Sequence, residues 1–303
     1  MKKVLVLYYS QSGQLKNVIE SFISELPDDN IKVDLREIKP KSSYPYPWPF
    51  YHFFDEFPEA VYMDGCEVEE IENLEDEYDL IILGYTVWYL SPSIPITGFL
   101  KSKQAKTIFK GKPVVTLIAC RDMWVMAQEK MKKLLKGLDA KHIDNVVLSD
   151  QGKSIYTFFT TPRWLLSGKK DAFWFFPPAG IAKEEMAAAS RFGKRLNEAL
   201  HQNREQEGKA LLRGLGAVNV NGKLIATEKI ATRSFMIWGK IIKLSGPKYS
   251  IARKITITFY AVFLLALVLT VVPLNILVRK LIYPLQKDKI TLLEEYYEQP
   301  SGK

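Results

Sequence analysis

A short polar loop near the start of the chain could bind a phosphate group. It follows an apolar run, leads into a helix, and consists of Ser10, Gln11, Ser12, Gly13, Gln14 and Leu15. Hydroxyls and backbone N–H groups at a helix N-terminus favour a phosphate dianion, and glycine permits a tight turn. A single glycine and no lysine exclude a dinucleotide fingerprint and a Walker P-loop. Taken alone, the loop also fits an ordinary strand–turn–helix junction with serine caps.

Two further segments combine aromatic, hydroxyl and charged side chains where a predicted strand ends. They contribute Thr86, Val87, Trp88 and Tyr89 after one strand, and Cys120, Arg121 and Trp124 after the next. Aromatic rings pack against planar heterocycles, and backbone amides can bind the edge of such a ring. Arg121 could stabilise a reduced, anionic ring and Trp124 could shield it. The structural alternatives are a tryptophan packed under its own loop, a solvated Arg121–Asp122 pair, and Cys120 as a small core residue.

Alternating strand and helix patterns place these segments at one edge of a sheet. Apolar or alternating runs predict five strands, at 3–9, 31–38, 80–84, 114–119 and 145–149. Amphipathic patterns predict helices at 15–26, 94–103, 123–138 and 184–202. This alternation predicts an α/β fold with a doubly wound, five-stranded parallel sheet. Ligands of such sheets bind outside the carboxyl ends of the strands, at the topological switch point.

At these three segments the sequence resembles the flavodoxin-like FMN-binding superfamily, in particular its quinone-reductase-like branch. YYSQSGQL would be the phosphate loop, with Leu15 standing where the family pattern has a hydroxyl residue. ILGYTVWYLSPSIP would be the flavin-ring loop, and the segment around CRDMW would border the flavin. The resemblance covers about residues 1–205 and implies FMN as the cofactor.

The chain further resembles the bacterial dialkylresorcinol-condensing enzyme family of aryl-polyene and flexirubin-type pigment pathways. The phosphate loop, a Pro/aromatic insertion, GYTVWYLSPSIP, CRDMWVMAQEKMKK and a C-terminal hydrophobic segment carry this resemblance. It implies a lipid-like ring substrate, and a flavin that oxidises a dialkylcyclohexanedione to the resorcinol. A thiolase-like Cys/His/His set, which a condensation would need, is not evident in the sequence.

Candidate proton-transfer residues lie in the aromatic insertion. His52, Asp55 and Glu56 are candidate bases, and His52 and Arg121 are the predicted catalytic residues; solvated loop positions are the alternative. Electrons could also flow from NAD(P)H through FMN to a quinone, and the sequence leaves the direction open. A membrane-tethered flavodoxin that carries electrons to a protein partner is a further interpretation. An FMN-free scaffold is another, if Leu15 blocks the phosphate.

Two insertions, at about 40–65 and 153–180, interrupt the alternation. Both are rich in aromatic residues. The first contains Pro45, Pro47, Pro49 and Pro58, which are expected to prevent a regular helix or central strand. Each insertion is interpreted as a loop over the end of the sheet, as a lipid-facing or substrate-covering surface, or as both.

The positive charge of the protein is concentrated towards its C-terminal end. The 303 residues include 42 Lys and Arg against 34 Asp and Glu, a net charge of +8, yet 229–287 contains ten basic and no acidic residues. The basic residues bracket 255–278, an uncharged stretch long enough as a helix to cross a hydrocarbon core of about 30 Å. This pattern predicts a membrane segment with basic groups at anionic headgroups, and not a nucleic-acid site. Pro273 leaves a hairpin open as the alternative to a span.

The sequence thus predicts a flavodoxin-like domain over 1–205, a basic amphipathic connector over 206–254, a membrane segment over 255–278 and a polar tail over 279–303. No secretory signal precedes the first strand, and Cys66 and Cys120 lie far apart, so we expect a reducing cytoplasm. The catalytic domain is accordingly predicted to face the cytoplasm from the inner membrane. Three scattered histidines predict no metal site, and a homodimer is left open.

Overall fold

The computed structural model contains one sheet of six strands, the five predicted parallel strands and one short antiparallel strand. It describes residues 1–152 and 154–302, with side chains for all of these except 154–155 and 271–285. The strands are β1 (Lys2–Tyr8), β2 (Ile31–Glu37), β3 (Leu80–Trp88), the two-residue β4 (Ser91–Pro92), β5 (Pro113–Cys120) and β6 (Lys141–Ser149). Their order is β2-β1-β3-β5-β6, with β4 antiparallel to the end of β3. Without β4, this is the 2-1-3-4-5 order of the flavodoxin-like sheet, whose switch point lies between β1 and β3.

Helices cover both faces of this sheet. In chain order they are α1 (Gln14–Ile23), α2 (Phe50–Asp55), α3 (Phe57–Tyr62), α4 (Ile94–Leu100), α5 (Lys103–Phe109), α6 (Val125–Gly137), α7 (Ser154–Ser167), α8 (Lys183–Ala187), α9 (Ser190–His201), α10 (Gly222–Leu244) and α11 (Ile251–Glu298). Alternate residues of β1 enter opposite cores: Val4 and Val6 pack with α1 and α9, whereas Leu5 and Leu7 pack with α4 to α6. Burial on both faces explains the nearly continuous apolar run of this strand. The predicted doubly wound α/β fold is confirmed.

The proline-rich first insertion contains two short helices, so the prediction that proline would prevent regular helix there is wrong. Pro49 is the N-cap of α2, and Pro58 lies in the first turn of α3. A proline at these positions loses no hydrogen bond, because first-turn N–H groups have no partner within the helix. The second insertion contains α7, which accommodates Pro162 in its interior.

The helix predicted over 184–202 is divided into α8 and α9. Within α9, Gly193 allows a close approach to α1, since a Cβ atom there would lie 1.9 Å from the carbonyl oxygen of Phe22. Any larger residue at this position would push the two helices apart.

The predicted connector contains α10, and the predicted membrane segment is part of the longer helix α11. The part Ile251–Thr270 is long and apolar enough to cross a membrane, judged by length and composition. Residues 271–278 of the predicted segment lie outside the described side chains.

Arg253 of α11 fastens the first insertion to the C-terminal helices. Its guanidinium lies 2.7 Å from Asp55 (Nε to Oδ1) and 2.8 Å from Glu59 (Nη2 to Oε2). The side chains of Arg253 and Asp55 are almost completely buried, and that of Glu59 is mostly buried. Beside them, Lys248 forms an ion pair of 2.8 Å with the buried Glu56. The insertion therefore depends on cations that lie nearly 200 residues further along the chain.

We predict that Arg253→Met strongly destabilises the protein. The substitution leaves two buried carboxylates without their cation, which typically costs about 3–5 kcal/mol. Thermal unfolding in detergent measures the effect. The exposed neighbour Lys254, changed to Met, is the control and should unfold near the wild-type temperature. Equal midpoints for the two variants would contradict the role assigned to Arg253.

Candidate functional site

The carboxyl ends of β1, β3 and β5 bring the three predicted segments together. Tyr8 at the end of β1 pairs with Gly84 of β3, and Thr86 of β3 pairs with Ala119 of β5. Just beyond these pairs, the ring of Tyr9 meets that of Trp88 edge-on, with 6.1 Å between the ring centroids. The three segments therefore share the edge that carries the switch point.

The loop 10–15 presents the N-terminus of α1. Gly13 is its N-cap at a φ of 81°, and no atom lies within 4 Å of the position that a Cβ would occupy there. Ser12 is exposed, and the Ser10 hydroxyl accepts a hydrogen bond from the Lys16 N–H at 3.3 Å. The first N–H groups of a helix have no intrahelical acceptor, so this end can receive an anion. Leu15 is buried in the core, and its side chain therefore does not obstruct the loop.

Thr86, at the end of β3, has a buried hydroxyl without a hydrogen-bond partner among the described residues. Its backbone is satisfied, since its carbonyl accepts a hydrogen bond from the Ser93 N–H at 3.1 Å. Leaving a buried donor or acceptor unpaired costs about 1–3 kcal/mol. A polar ligand at this edge would remove that cost.

The turn after β3 is held in a strained conformation. Tyr89 and Leu90 have φ values of 50° and 59°, in the left-handed region that side chains other than those of Gly, Asn and Asp seldom adopt. Both lie in the two-residue turn between Trp88 and Ser91, which pair across β3 and β4. The Tyr89 hydroxyl donates to the Phe53 carbonyl at 2.5 Å, so the first insertion helps to fix the turn. Strain of this kind is common at functional sites.

Aromatic residues of the first insertion form a cluster over the end of β3. Tyr44 and Trp48 meet the half-buried Trp88 edge-on, at centroid distances of 5.2 and 5.4 Å. Trp48 is itself buried, and it continues the cluster towards Phe53 and His52, each 5.9 Å away. The insertion therefore covers the predicted ring-binding loop instead of lying beside it.

The two insertions contact both the phosphate loop and each other. Gln11 donates to the Pro45 carbonyl at 2.9 Å, and the Trp48 N–H donates to the Leu165 carbonyl at 2.8 Å. Gln14 packs so closely on Gly180 that a Cβ atom there would lie 2.4 Å from its amide nitrogen. Together they close over the carboxyl edge of the sheet.

The third segment lies beneath α7. The Arg121 guanidinium lies over the Phe158 ring, 4.4 Å from its centroid. Burial lowers the pKa of Arg121, with Asp122 and Asp150 opposing the shift, and the group stays charged at neutral pH. Burial raises the pKa of the partly buried Cys120 thiol well above its usual range, which disfavours the thiolate form. Trp124 is buried in the core, and its predicted role of shielding a ring stays a prediction.

Of the three candidate bases, two are held in ion pairs. Asp55 is paired with Arg253, and Glu56 is paired with Lys248. Because these carboxylates attach the first insertion to the C-terminal helices, neither is retained as a candidate base. Burial raises the pKa of Glu56, and Lys248 opposes this shift. His52 differs from these two carboxylates: its Nε2 lies 2.5 Å from the Tyr249 hydroxyl, at one end of the aromatic cluster.

Glu228 of α10 is a buried carboxylate that the sequence did not indicate. It accepts a hydrogen bond from the Met126 N–H at 2.6 Å and so caps the start of α6, next to the third segment. Burial raises the pKa of Glu228 to about 7, and Asp122 adds to the shift. The two hydrogen-bonded residues are 102 positions apart, so no local motif could reveal the contact.

Among the described residues, no group of His, Cys, Asp or Glu could hold a metal ion.

Comparison with known proteins finds flavoproteins among solved structures, although no family model and no curated protein matches the chain. A flavoprotein in complex with FMN from Lactobacillus acidophilus is 25% identical, with 48% of this chain and 93% of that chain covered and a TM-score of 0.40. A flavodoxin, WrbA-like protein from Agrobacterium tumefaciens is 12% identical, with 67% and 99% covered and a TM-score of 0.36. A flavodoxin from the domain Archaea is 13% identical, with 66% and 99% covered and a TM-score of 0.35. Because these TM-scores are low, the assignment of this chain to a flavodoxin-like fold depends on its own strand order.

Proposed function

We propose that the protein is an FMN-dependent oxidoreductase that acts on a hydrophobic ring substrate at a membrane. The observation that carries the proposal is the position of two complementary features at the switch point. The N-terminus of α1 can receive a phosphate, and the unpaired hydroxyl of Thr86 can receive a polar ring edge. Flavodoxin-like sheets bind FMN at this point.

The residues present fit FMN along the edge of the sheet. Ser10, Ser12 and the N–H groups around Gly13 would hold the phosphate. Thr86 and the backbone of 86–89 would hold the ring edge, with the cationic Arg121 at the neighbouring strand end. When bound, FMN supplies a two-electron acceptor or donor that the side chains of the protein lack.

The aromatic cluster favours an enzyme with a substrate site, and not a carrier with an exposed cofactor. A protein that only carries electrons needs an accessible flavin edge, whereas here Tyr44 and Trp48 cover the loop at Trp88. A cover of aromatic side chains suits a lipid-like ring. On the resemblance to the dialkylresorcinol family, we propose a dialkylcyclohexanedione that loses two hydrogens to become the resorcinol. A quinone reduced at the expense of NAD(P)H is the second candidate, which the same cover would accept.

His52 is the remaining candidate for proton transfer in this cluster. Its imidazole is not held in one of the ion pairs that fix Asp55 and Glu56, and its ring packs against the buried Trp48. We propose that His52 exchanges a proton with the substrate, with Tyr249 orienting the ring through the contact to Nε2.

The membrane part of the proposal depends on charge and exposure. The apolar start of α11 is surrounded by a basic stretch without acidic residues, which favours anionic lipid. We propose that the catalytic body faces the cytoplasm at the inner membrane.

Replacing Ser12 with Asp should expel FMN. A carboxylate a few Å from the phosphate costs about 1–4 kcal/mol, which weakens binding at least about fivefold. Flavin absorbance after desalting measures retention. Ser24→Asp adds the same charge at the other end of α1 and should keep the wild-type colour. Flavin retained at wild-type level by the Ser12 variant would show that the loop is not the phosphate site.

Replacing Thr86 with Val should separate ligand binding from stability. Valine removes the unpaired hydroxyl, so the flavin-free protein should unfold at the same or a higher temperature. FMN affinity should fall about 5- to 150-fold through the loss of about 1–3 kcal/mol. Titration with FMN and thermal unfolding measure the two effects. Unchanged affinity would exclude Thr86 as a ligand of FMN.

The substrate class is tested with the yellow protein in detergent. One reaction contains a dialkylcyclohexanedione and oxygen, and the other contains NADPH and a soluble quinone. We expect resorcinol in the first, identified by mass spectrometry, and less of it with His52→Gln while FMN remains bound. Turnover of the quinone mixture alone would replace the proposed substrate with the second candidate, and a colourless protein that ignores added FMN would refute the flavin proposal itself.

A further inference from the structure

The first half of α11 and the second half of α10 form an apolar surface that the described side chains do not cover. Only 17% of the apolar window within Ile251–Thr270 is buried, although its mean hydropathy is 1.8. Large side chains on both helices are more than half exposed: Ile237, Leu244, Ile255, Phe259, Val262, Leu265 and Leu269. The two helices pack through Trp238, whose ring lies 5.2 Å from that of Tyr260 and 5.0 Å from that of Phe263.

The positive charges around this apolar surface favour a lipid bilayer as its binding partner. Arg233, Lys240 and Lys254 are exposed beside the apolar residues, within the stretch that has no acidic side chain. Cations at this position attract anionic headgroups. A second copy of the chain would bring the same cations face to face, because a two-fold interface juxtaposes identical patches.

Both ends of α11 are attached to the same folded body. At its start, Arg253 is buried against the first insertion. Near its end, the Glu294 carboxylate accepts a hydrogen bond from the Gly222 N–H of α10 at 2.9 Å. Beyond the helix, the buried Ser301 hydroxyl donates to Asp144 of β6 at 2.7 Å. The apolar part of α11 lies between these two attachments.

We propose that α11 is a one-sided membrane anchor: its apolar start lies in the bilayer and does not span it. This deepens the membrane part of the proposed function and does not depend on the flavin. A spanning segment would put residues after 286 across the membrane from the body, but Glu294 and Ser301 are bound to that body. The first insertion meets the anchor where the Tyr51 hydroxyl lies 3.3 Å from that of Thr258. The aromatic cluster is thereby placed next to the lipid.

Membrane topology tests the proposal directly. Single cysteines are introduced at three exposed positions: Lys287 after the apolar segment, Lys183 on the body, and Leu265 on the apolar surface. Membrane vesicles of both orientations are treated with an impermeant maleimide, with the wild type, which has Cys66 and Cys120, as background. We expect Lys287→Cys and Lys183→Cys to be labelled in the same orientation, and Leu265→Cys only after detergent is added.

The other outcomes overturn the proposal in separable ways. Labelling of Lys287→Cys and Lys183→Cys in opposite orientations would show that the segment spans. Release of the protein by alkaline carbonate, or labelling of Leu265→Cys without detergent, would show that the bilayer does not cover the surface. Flavin absorbance of the same membranes is read separately, so loss of FMN would contradict the cofactor proposal and not the topology. Cross-linking of cysteines at Arg213 and Gln299, whose side chains lie 3.5 Å apart, confirms that each variant keeps its C-terminal attachment.

Discussion

The ion pairs of Arg253 are the interaction on which the arrangement of this protein depends. They hold Asp55 and Glu59 of the first insertion against the start of α11, where the side chains of Arg253 and Asp55 are buried and that of Glu59 is mostly buried. Around them, Phe57 stacks on Tyr260 at 4.7 Å and contacts Tyr89 at 5.1 Å. Because Tyr89 belongs to the strained turn after β3, the end of the sheet is connected to α11 by continuous packing. A displacement of α11 would therefore change the packing of the turn after β3, where the predicted ring-binding loop lies.

This arrangement gives the basic residues two different tasks. The sequence has ten basic and no acidic residues from 229 to 287, which suggests a uniform surface for lipid. In the fold, Lys243, Lys248 and Arg253 are instead paired with carboxylates of the first insertion. The exposed cations beside the apolar surface are the ones available to headgroups. Part of the local excess of positive charge thus attaches an insertion that carries its own acidic residues, and only the remaining cations are available to the proposed membrane.

The sequence predicts the sheet better than it predicts the covering of the sheet. Strands buried on both faces, such as β1, are visible in the sequence as continuous apolar runs. The parallel topology then places the loops that follow these strands at one edge of the sheet. Side-chain partners do not follow from such patterns. From the sequence alone, Asp55 and Glu56 are candidate bases, whereas in the fold they pair with Arg253 and Lys248. Glu228 lies in a stretch that the sequence predicts to be a connector, although it caps a helix of the sheet domain. These contacts join residues 100 to 200 positions apart, beyond any local periodicity.

The covering of the sheet also constrains how a substrate could arrive. Tyr44 and Trp48 close the space over Trp88, and Gln11 and Gln14 hold both insertions onto the phosphate loop. A water-soluble substrate would gain little from a cover of aromatic rings. For a molecule with alkyl chains, a cover that adjoins the proposed membrane surface would avoid transfer from lipid into water, which costs about 0.8 kcal/mol for each CH₂ group. The proposed one-sided anchor beside the first insertion therefore suits a substrate that never leaves the apolar phase, and this connects the proposed location of the protein with the chemistry proposed for it.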